Sequence, residues 1–286
     1  MNASIRKLSV TVVFAIGSMI CATANAAVSC SVSVTPITVV YDPTVATENI
    51  TTGTVTVSCT RAISDANTFD YSVTASNGLQ PNGTVNRAQL GANRYNYELY
   101  RLSPYVNGNR WQTNGGTRLT GTINFGVTLA ASNTHSFDLR VPGSQPVVPA
   151  GTYTDTVTSS LRNLAGTTIN STTFGVSVIT TNSCQLSTPP GNINFTYTSF
   201  QASAATASTN FNARCTSGLP YTMALDATSG TLLGLNYSLA LSSPGATGTG
   251  VVQTFSINGT IASGQAGTCA VAACSSSAAR TITVTY

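Results

Sequence analysis

Two stretches of the sequence, Cys30-Ser-Val-Ser-Val-Thr-Pro36 and Cys184-Gln-Leu-Ser-Thr-Pro-Pro190, begin in the same way and determine how the rest of the chain is interpreted. A second cysteine follows each of them at a similar distance, Cys59 in one half of the chain and Cys215 in the other. The two cysteines are 29 residues apart in the first half and 31 residues apart in the second, so the halves share a spacing as well as a similar start.

Further text repeats in the same order after these two stretches, which indicates an internal duplication. The alternative is a chance match within sequence that is rich in Thr, Ser and Asn. The matching pairs are Tyr41 with Phe195, Ala75–Gly78 with Ala227–Gly230, and Asn96–Leu99 with Asn236–Leu239.

Alternation of apolar with polar residues predicts β-strands throughout both halves, and no stretch after the N-terminal segment has a helical period. The alternating runs are Thr54–Ser58, Phe69–Thr74, His135–Val141, Thr152–Thr158 and Thr281–Tyr286. Asn-Gly pairs favour tight turns, and they occur at Asn77, Asn82, Asn107, Asn114 and Asn258. Many short strands separated by turns predict an all-β protein with two β-sandwiches.

The N-terminal segment is typical of a secretory signal peptide over residues 1–26. Arg6 and Lys7 precede an apolar run that ends in the small-x-small motif Ala24-Asn25-Ala26, so the mature chain is expected to begin at Ala27. A membrane helix is the alternative interpretation, but the apolar run is short for one. The sequence therefore predicts an exported protein.

Composition excludes several classes of function. Only 7% of residues are charged and the formal net charge is +4, which is too little for a surface that holds nucleic acid. His135 is the only histidine, and strand alternation puts it on the opposite face from Asp138, so we expect it at the surface or at a loop edge. We predict no enzyme activity and no catalytic, cofactor-binding or metal-binding residue.

Six of the seven cysteines follow the signal segment, and export to an oxidising compartment favours disulfides. Cysteine count alone does not choose among the possible pairings. The repeated spacing favours Cys30 with Cys59 and Cys184 with Cys215, which leaves Cys269 with Cys274. A zinc site is the alternative, but no cysteine cluster has the spacing of tetrahedral ligands.

Several motifs together resemble the spore coat U-type domain of archaic chaperone–usher pili. They are the cysteine pairs, Tyr95–Tyr100 followed by Trp111, and Pro149–Asp155. The resemblance covers the first half almost throughout, and the second half at its start, near Leu235–Leu239 and at its final strand. The second half departs where Cys269 and Cys274 stand in place of a Gly-Thr-Tyr-Thr-Asp segment.

The resemblance implies Greek-key, immunoglobulin-like β-sandwiches that lack the last strand, which the N-terminal extension of an adjacent pilin subunit supplies. A periplasmic chaperone and an outer-membrane usher are then expected partners. Residues 27–181 carry a further strand-like run, Thr173–Thr180, and are expected to be complete. Residues 184–286 are expected to accept the donor strand along the edge formed by Ile282, Val284 and Tyr286.

Only Ala27–Ser29 precede Cys30 in the expected mature chain, so no donor strand is available at that end. A subunit that accepts a strand and donates none resembles the two-domain tip adhesins of archaic pili. The expected function is attachment to surfaces and biofilm formation at a pilus tip, reached through the periplasm. A secreted structural coat or matrix protein of the same domain family is the alternative.

Counting strands back from Thr173–Thr180 predicts which loops lie far from the junction of the two domains. Segments 162–170, 130–133, 102–109 and 61–67 are expected at the far end, and 142–150 at the junction. Two of these loops are rich in exposed apolar residues, which usually mark interaction surfaces. The candidate adhesive residues are Leu102, Pro104, Tyr105, Val106, Leu164 and Ala165. The ligand stays open among an abiotic apolar surface, a glycan and a protein, and the alternative is that these side chains fold back onto the sandwich.

Overall fold

A computed structural model describes residues 28–113 and 117–286, so the predicted signal segment and Ala27 lie outside the described residues, as do two members of the Asn114 turn. The first ten strands are β1 (Ser29–Val34), β2 (Ile37–Val40), β3 (Asn49–Thr60), β4 (Thr68–Ala75), β5 (Asn86–Leu90), β6 (Asn93–Tyr100), β7 (Leu119–Asn124), β8 (Ala130–Val141), β9 (Gly151–Asn163) and β10 (Thr168–Thr180).

Eight further strands follow a three-residue connection, 181–183. They are β11 (Cys184–Thr188), β12 (Ala205–Cys215), β13 (Pro220–Leu225), β14 (Ser229–Leu232), β15 (Leu235–Leu241), β16 (Gly245–Thr247), β17 (Gln253–Ile261) and β18 (Ile282–Thr285). The helical structure that is described is one 3-10 turn, Asn107–Asn109. None of the described helical structure is long and apolar enough to span a membrane.

Alternation within the strands produces two separate hydrophobic cores. In β3, Val55, Val57 and Cys59 are buried, whereas Thr54 and Ser58 point outward and are exposed. One core extends from Val32 to Val178 and the other from Phe211 to Ile261. The protein is therefore an all-β chain with two β-sandwiches, as the sequence predicts; we refer to them as the N-terminal and C-terminal sandwiches.

The N-terminal sandwich is a curled ten-stranded sheet in the order β1-β3-β8-β6-β5-β9-β10-β2, with β4 pairing to β7 and β9. Aromatic residues join its two faces, because Trp111 packs against Phe137 of β8 and Phe174 of β10 at ring-centroid distances of 4.8 and 6.0 Å. The indole nitrogen of Trp111 donates a 2.9 Å hydrogen bond to the carbonyl oxygen of Val73, which satisfies its buried polar group.

Strand β10 closes this sandwich. It pairs antiparallel with β9 along its length and parallel with β2 on its other edge. Its inward residues Phe174, Val176 and Val178 are at most 3% exposed. They complete the core between Ile37 of β2 and Val157 of β9, both of which are also buried.

The C-terminal sandwich has a five-stranded sheet, β11-β12-β17-β15-β14, and a three-stranded sheet, β16-β13-β18. Its strands follow the order of the N-terminal sandwich: β12 and β17 pair as β3 and β8 do, and β18 corresponds to β9. Segment 193–197 corresponds to β2, with Ile193, Phe195 and Tyr197 pointing inward and half-buried. Among the described residues, no strand corresponds to β10.

One turn prediction is wrong. Asn258 and Gly259 lie inside β17 and pair with Ser208 and Ala207 of β12. Glycine is needed there because of packing: a Cβ on Gly259 would lie 2.4 Å from the Phe195 ring. Asn-Gly pairs in this protein therefore occur both at turns and at a position where two layers approach closely.

The strand directions define two ends of the N-terminal sandwich. Strand β10 ends at the 181–183 connection, which we call the linker end, together with the start of β9 and the end of β8. The opposite end, which we call the distal end, contains the connections 61–67, 125–129 and 164–167. Segment 142–150 lies at the linker end, as expected.

Candidate functional site

The distal end presents three large aliphatic side chains to solvent, one on each connection. Ile63 is 86% exposed, Val127 is 100% exposed and Leu164 is 80% exposed. Leu129 adds a fourth side chain at 47%. Because burial of such side chains stabilises a fold by about 1.5–3 kcal/mol each, three of them exposed at one end make this end a candidate interaction surface.

Two of these connections are fixed to one another by hydrogen bonds. The backbone nitrogen of Arg61 donates to the carbonyl oxygen of Leu129 at 2.9 Å, and that of Phe125 donates to Asn67 at 2.9 Å. The Arg61 guanidinium group donates to the carbonyl oxygens of Asp65 and Thr128. It also lies 5.5 Å from the centre of the Phe125 ring.

The third connection forms a compact turn of its own. The backbone nitrogens of Gly166 and Thr167 donate to Asn163, and the Arg162 guanidinium group donates to the Gly166 carbonyl oxygen at 3.0 Å. Leu164 and Ala165 protrude from this turn and are exposed. The apolar side chains of the distal end are thus carried on ordered turns, which lowers the conformational entropy lost when they contact a surface.

Segment 102–109 does not lie at the distal end, so the expectation from the strand order is wrong. Strand β6 leaves its ladder early, because Tyr100 pairs with Asp138 of β8, far from the Ala130 end that marks the distal end. The Tyr105 hydroxyl group donates to an Asp138 carboxylate oxygen at 3.2 Å. The segment therefore lies on the side of the sandwich, nearer to the linker end.

The candidate residues of that segment are nonetheless partly open to solvent. Leu102, Pro104 and Val106 are exposed, whereas Tyr105 is half-buried and packs edge-on against Tyr100 at a centroid distance of 5.1 Å. The Asn109 side-chain amide donates to the Pro104 carbonyl oxygen. The order of strands in the sequence predicts the end at which each turn lies only if every strand spans the sandwich. Strand β6 ends early, so the prediction fails for segment 102–109.

A buried ion pair lies beneath the segment. Glu98 is 3% exposed, and one of its carboxylate oxygens is 2.9 Å from a guanidinium nitrogen of Arg110. Burial raises the pKa of Glu98 to about 7, against the opposing effect of the Arg110 and Arg140 charges. The pair joins the two strand-like arms from which segment 102–109 projects.

His135 lies in the middle of β8 and is half-buried, so the expectation of a loop edge is wrong. Its Nε2 atom is 2.7 Å from the Tyr71 hydroxyl oxygen, and burial lowers the pKa of His135 below its usual value. Asp138 points to the other face of the strand, where Thr52 donates to it. His135 therefore lies on the inward face of β8 and is half-buried.

A second candidate surface is the edge of β18 in the C-terminal sandwich. This strand pairs with β13 on one side, and none of residues 28–113 and 117–286 pairs with its other side. Ile282 and Val284 point inward but are only half-buried, and Tyr286 is 58% exposed. An edge of this kind exposes backbone hydrogen-bonding groups together with a strip of core.

The structure contains three disulfides, Cys30–Cys59, Cys184–Cys215 and Cys269–Cys274, which are the pairs that the spacing favoured. Cys30 of β1 pairs with Cys59 of β3, and Cys184 of β11 pairs with Cys215 of β12, so each of the first two disulfides joins residues that lie opposite one another in neighbouring strands. The third joins two residues of the long connection between β17 and β18.

The fold and these surfaces define a class of disulfide-bonded protein with two repeated β-sandwiches, one closed and one with a free strand edge. The family comparison agrees with the repeat, because residues 17–160 and residues 170–284 each match the Spore Coat Protein U domain. The chain belongs to this family. The second match begins within β10, a strand that the structure places in the N-terminal sandwich.

Solved structures with detectable similarity are distant. The CupB6 tip adhesin from Pseudomonas aeruginosa has 8% identity and a TM-score of 0.34, covering 76% of this chain and 80% of the adhesin. CfaE, the adhesive subunit of CFA/I fimbria of enterotoxigenic Escherichia coli, has 11% identity and a TM-score of 0.24, covering 67% and 76%. The CooA pilin subunit of the same species has 12% identity and a TM-score of 0.33, covering 54% and 97%. Values this low support no functional conclusion, and no curated protein matches the sequence.

Proposed function

We propose that this protein is the tip subunit of a pilus. Residues 27–181 form its adhesive domain, and residues 184–286 form a pilin-like domain that joins it to the fibre. The observation that carries the proposal is the difference between two equivalent edges: β10 fills the edge of β9, and no described strand fills the edge of β18.

The partner for the β18 edge is a strand donated by the adjacent pilin subunit. The donated strand would place apolar side chains between β18 and segment 193–197, as β10 places Phe174 and Val176 in the N-terminal sandwich. Burial of each such side chain stabilises the fold by about 1.5–3 kcal/mol. The donated strand would also pair with the free backbone groups of β18, as in other cases of β-strand addition.

Export then requires protection of the open edge before assembly. A periplasmic chaperone would cover the edge, and an outer-membrane usher would exchange the chaperone for the adjacent pilin, so that the protein reaches the cell surface at the pilus tip. The free edge provides the reason, because an unpaired apolar strand edge is an aggregation site.

Attachment is assigned to the distal end, and the surface it fits is apolar. Ile63, Val127 and Leu164 project from ordered turns and carry no charge, so contact with a hydrophobic surface removes their side chains from water. Attachment of this kind would support biofilm formation on abiotic material. The role involves binding and no catalytic step.

The test compares two sets of three substitutions in cells that display the protein. Ile63→Ser, Val127→Ser and Leu164→Ser together should reduce adhesion to polystyrene by more than about tenfold, because the apolar contacts are removed. The matched control is Leu79→Ser, Leu102→Ser and Val106→Ser, three exposed aliphatic residues outside the distal end. Surface levels of the protein are measured by immunoblot of intact pili.

Loss of adhesion with the control set and not with the distal set would move the adhesive surface to the side of the sandwich. Full adhesion with both sets would exclude attachment through exposed apolar loops and favour a coat or matrix role. Retained binding to glycan-coated or protein-coated wells by the distal variant would show a second kind of ligand.

A further inference from the structure

The connection between β17 and β18, residues 262–281, is long, exposed and anchored at both ends. Near its start, the Gln265 backbone nitrogen donates to the Tyr197 hydroxyl oxygen at 2.8 Å, and that of Thr268 donates to the Leu233 carbonyl oxygen at 2.7 Å. Near its end, Arg280 donates to the Tyr237 hydroxyl oxygen, and the Thr281 nitrogen donates to Asp226.

Between these anchors, residues 268–281 are all exposed, and none of them belongs to the hydrophobic core. The Cys269–Cys274 disulfide closes a small ring here around Ala270, Val271, Ala272 and Ala273. Val271 is 68% exposed, and no charged residue occurs from 262 to 279. The disulfide restricts the conformations of this exposed apolar ring, so less entropy is lost when the ring contacts a partner.

The equivalent connection of the N-terminal sandwich shows what such a loop contacts. Segment 142–150 joins β8 to β9, as 262–281 joins β17 to β18. Its Val147 is 4% exposed although it is not part of the N-terminal core. It lies against Gly250 of the C-terminal sandwich, where an added Cβ would be 2.1 Å from the Val147 carbonyl oxygen.

Hydrogen bonds to the 181–183 connection and within the C-terminal sandwich hold the groups beside this contact. The Ser183 hydroxyl oxygen in the 181–183 connection lies 3.1 Å from the Thr44 hydroxyl oxygen and donates to an Asp42 carboxylate oxygen at 3.4 Å. Arg214 of β12 donates to the Gly250 carbonyl oxygen at 3.2 Å. The β8–β9 connection of one sandwich therefore contacts the end of the next sandwich that carries its first disulfide.

We propose that residues 262–281, with the Cys269–Cys274 ring at their tip, dock on the corresponding end of the adjacent pilin subunit. This inference rests on the proposed function. Strands β17 and β12 place the segment at the end opposite the 181–183 connection, since Ile261 pairs with Ala205 while Cys215 pairs with Cys184. A donated strand that runs antiparallel to β18, as β10 runs antiparallel to β9, would leave the groove at this same end.

The surface that this loop fits is partly apolar. In this chain the equivalent surface lies beside Cys184 and Cys215 and includes the β16–β17 connection, where Val251 and Val252 are 64% and 51% exposed. A pilin of the same family would present the corresponding connection, next to its own first disulfide, to Val271. The donated strand would supply most of the affinity, and the loop contact would fix the orientation of the adjacent pilin subunit relative to the C-terminal sandwich.

Photo-crosslinking in cells that assemble the protein into fibres tests the contact with the full chain. Val271→p-benzoylphenylalanine probes the ring, Tyr286→p-benzoylphenylalanine probes the β18 edge, and Ser208→p-benzoylphenylalanine on the outer face of β12 is the control. Val271 should link to the globular part of a pilin close to its first disulfide. Tyr286 should link to the N-terminal extension of the same pilin, and Ser208 to neither.

A second variant separates the ring from the groove. Cys269→Ser with Cys274→Ser should lower the Val271 cross-link by about fivefold, because loss of pre-organisation costs about 1 kcal/mol, and should leave the Tyr286 cross-link unchanged. A Tyr286 link without a Val271 link would overturn this inference and leave the proposed function intact. Absence of both links would contradict the proposed function itself, and a Val271 link alone would keep the docking surface but contradict strand donation.

Discussion

The two sandwiches share a strand order but differ at one edge. In the N-terminal sandwich, β10 lies between β2 and β9, and its Phe174, Val176 and Val178 are buried. In the C-terminal sandwich, segment 193–197 and β18 border the same position, and their inward side chains are half-buried or exposed. The comparison shows that one strand separates a closed β-sandwich from one that needs a partner.

The ends of the two sandwiches differ in a similar way. At the distal end of the N-terminal sandwich, Val127 on the β7–β8 connection is fully exposed. On the corresponding β16–β17 connection, Gly250 lies against Val147 of the other sandwich. One position in the fold therefore serves as a free surface in the first repeat and as a joint in the second.

The largest effect is expected when the C-terminal sandwich receives a strand of its own. The full chain is extended after Tyr286 by a copy of residues 163–180, which contains the β9–β10 turn and β10. Burial of the inward residues should stabilise the C-terminal sandwich by more than about 5 kcal/mol. Calorimetry should show its unfolding transition rise by more than about 20 °C.

The matched control for this extension carries Ser in place of the three inward residues of the copy, at the positions equivalent to Phe174, Val176 and Val178. It should leave the transition where it is in the natural chain. An unchanged transition with the apolar copy would show that the C-terminal sandwich is already complete, and the contrast between the two edges would lose its meaning.

A smaller effect is expected from truncating equivalent inward residues of the two sandwiches. Phe174→Ala should destabilise the N-terminal sandwich by about 3–5 kcal/mol, because it leaves a cavity beside Trp111 and Phe137. Val284→Ala should cost the C-terminal sandwich under about 1 kcal/mol, because a half-buried side chain loses less on truncation. Denaturant titration of each full-length variant measures both values, and equal losses would contradict the difference in edge packing.

Much of the fold could be predicted from the local alternation of apolar and polar residues. Thr54–Ser58 lies in β3 and Thr173–Thr180 lies in β10, because period-2 text with one buried face has few other conformations. The family could also be predicted from the sequence, because the repeated cysteines and the Tyr95–Tyr100 run are local motifs that need no knowledge of the fold.

Features that depend on packing between segments distant in the chain could not be predicted from the sequence. The sequence does not show that Gly259 makes room for Phe195, or that β6 ends at Tyr100 and places Tyr105 beside Asp138. Ile63 is a single large apolar residue within polar loop sequence, whereas Val127 continues the alternation of Phe125-Gly-Val-Thr-Leu129 and resembles a strand residue, so neither was predicted to be an exposed loop residue. The available signal was that Ile63 interrupts a connection between two strongly alternating runs.

The smallest expected effect concerns acid groups, seven of which lie in the N-terminal sandwich, while Asp226 is the single acid of the C-terminal sandwich. Burial raises the pKa of Glu98 from 4.5 to about 7. The folded state therefore keeps the Glu98 proton between these pH values, whereas the unfolded state has lost it. Stability of the N-terminal sandwich should consequently fall as the pH rises from about 4.5 to about 7, by about 3 kcal/mol at most.

Glu98→Gln should remove this dependence, because a neutral amide occupies the buried site at every pH. Below pH 4.5 the variant and the natural chain should unfold at similar temperatures, and above pH 7 the natural chain should be the less stable, since the side chain of Arg110 is 17% exposed and reaches water without its partner. The C-terminal transition in the same calorimetric scans is the internal control and should show no such window. A natural chain whose N-terminal transition rises over this pH range would mean that Arg110 outweighs burial, so that Glu98 stays ionised in the folded state and the ion pair stabilises the base of segment 102–109.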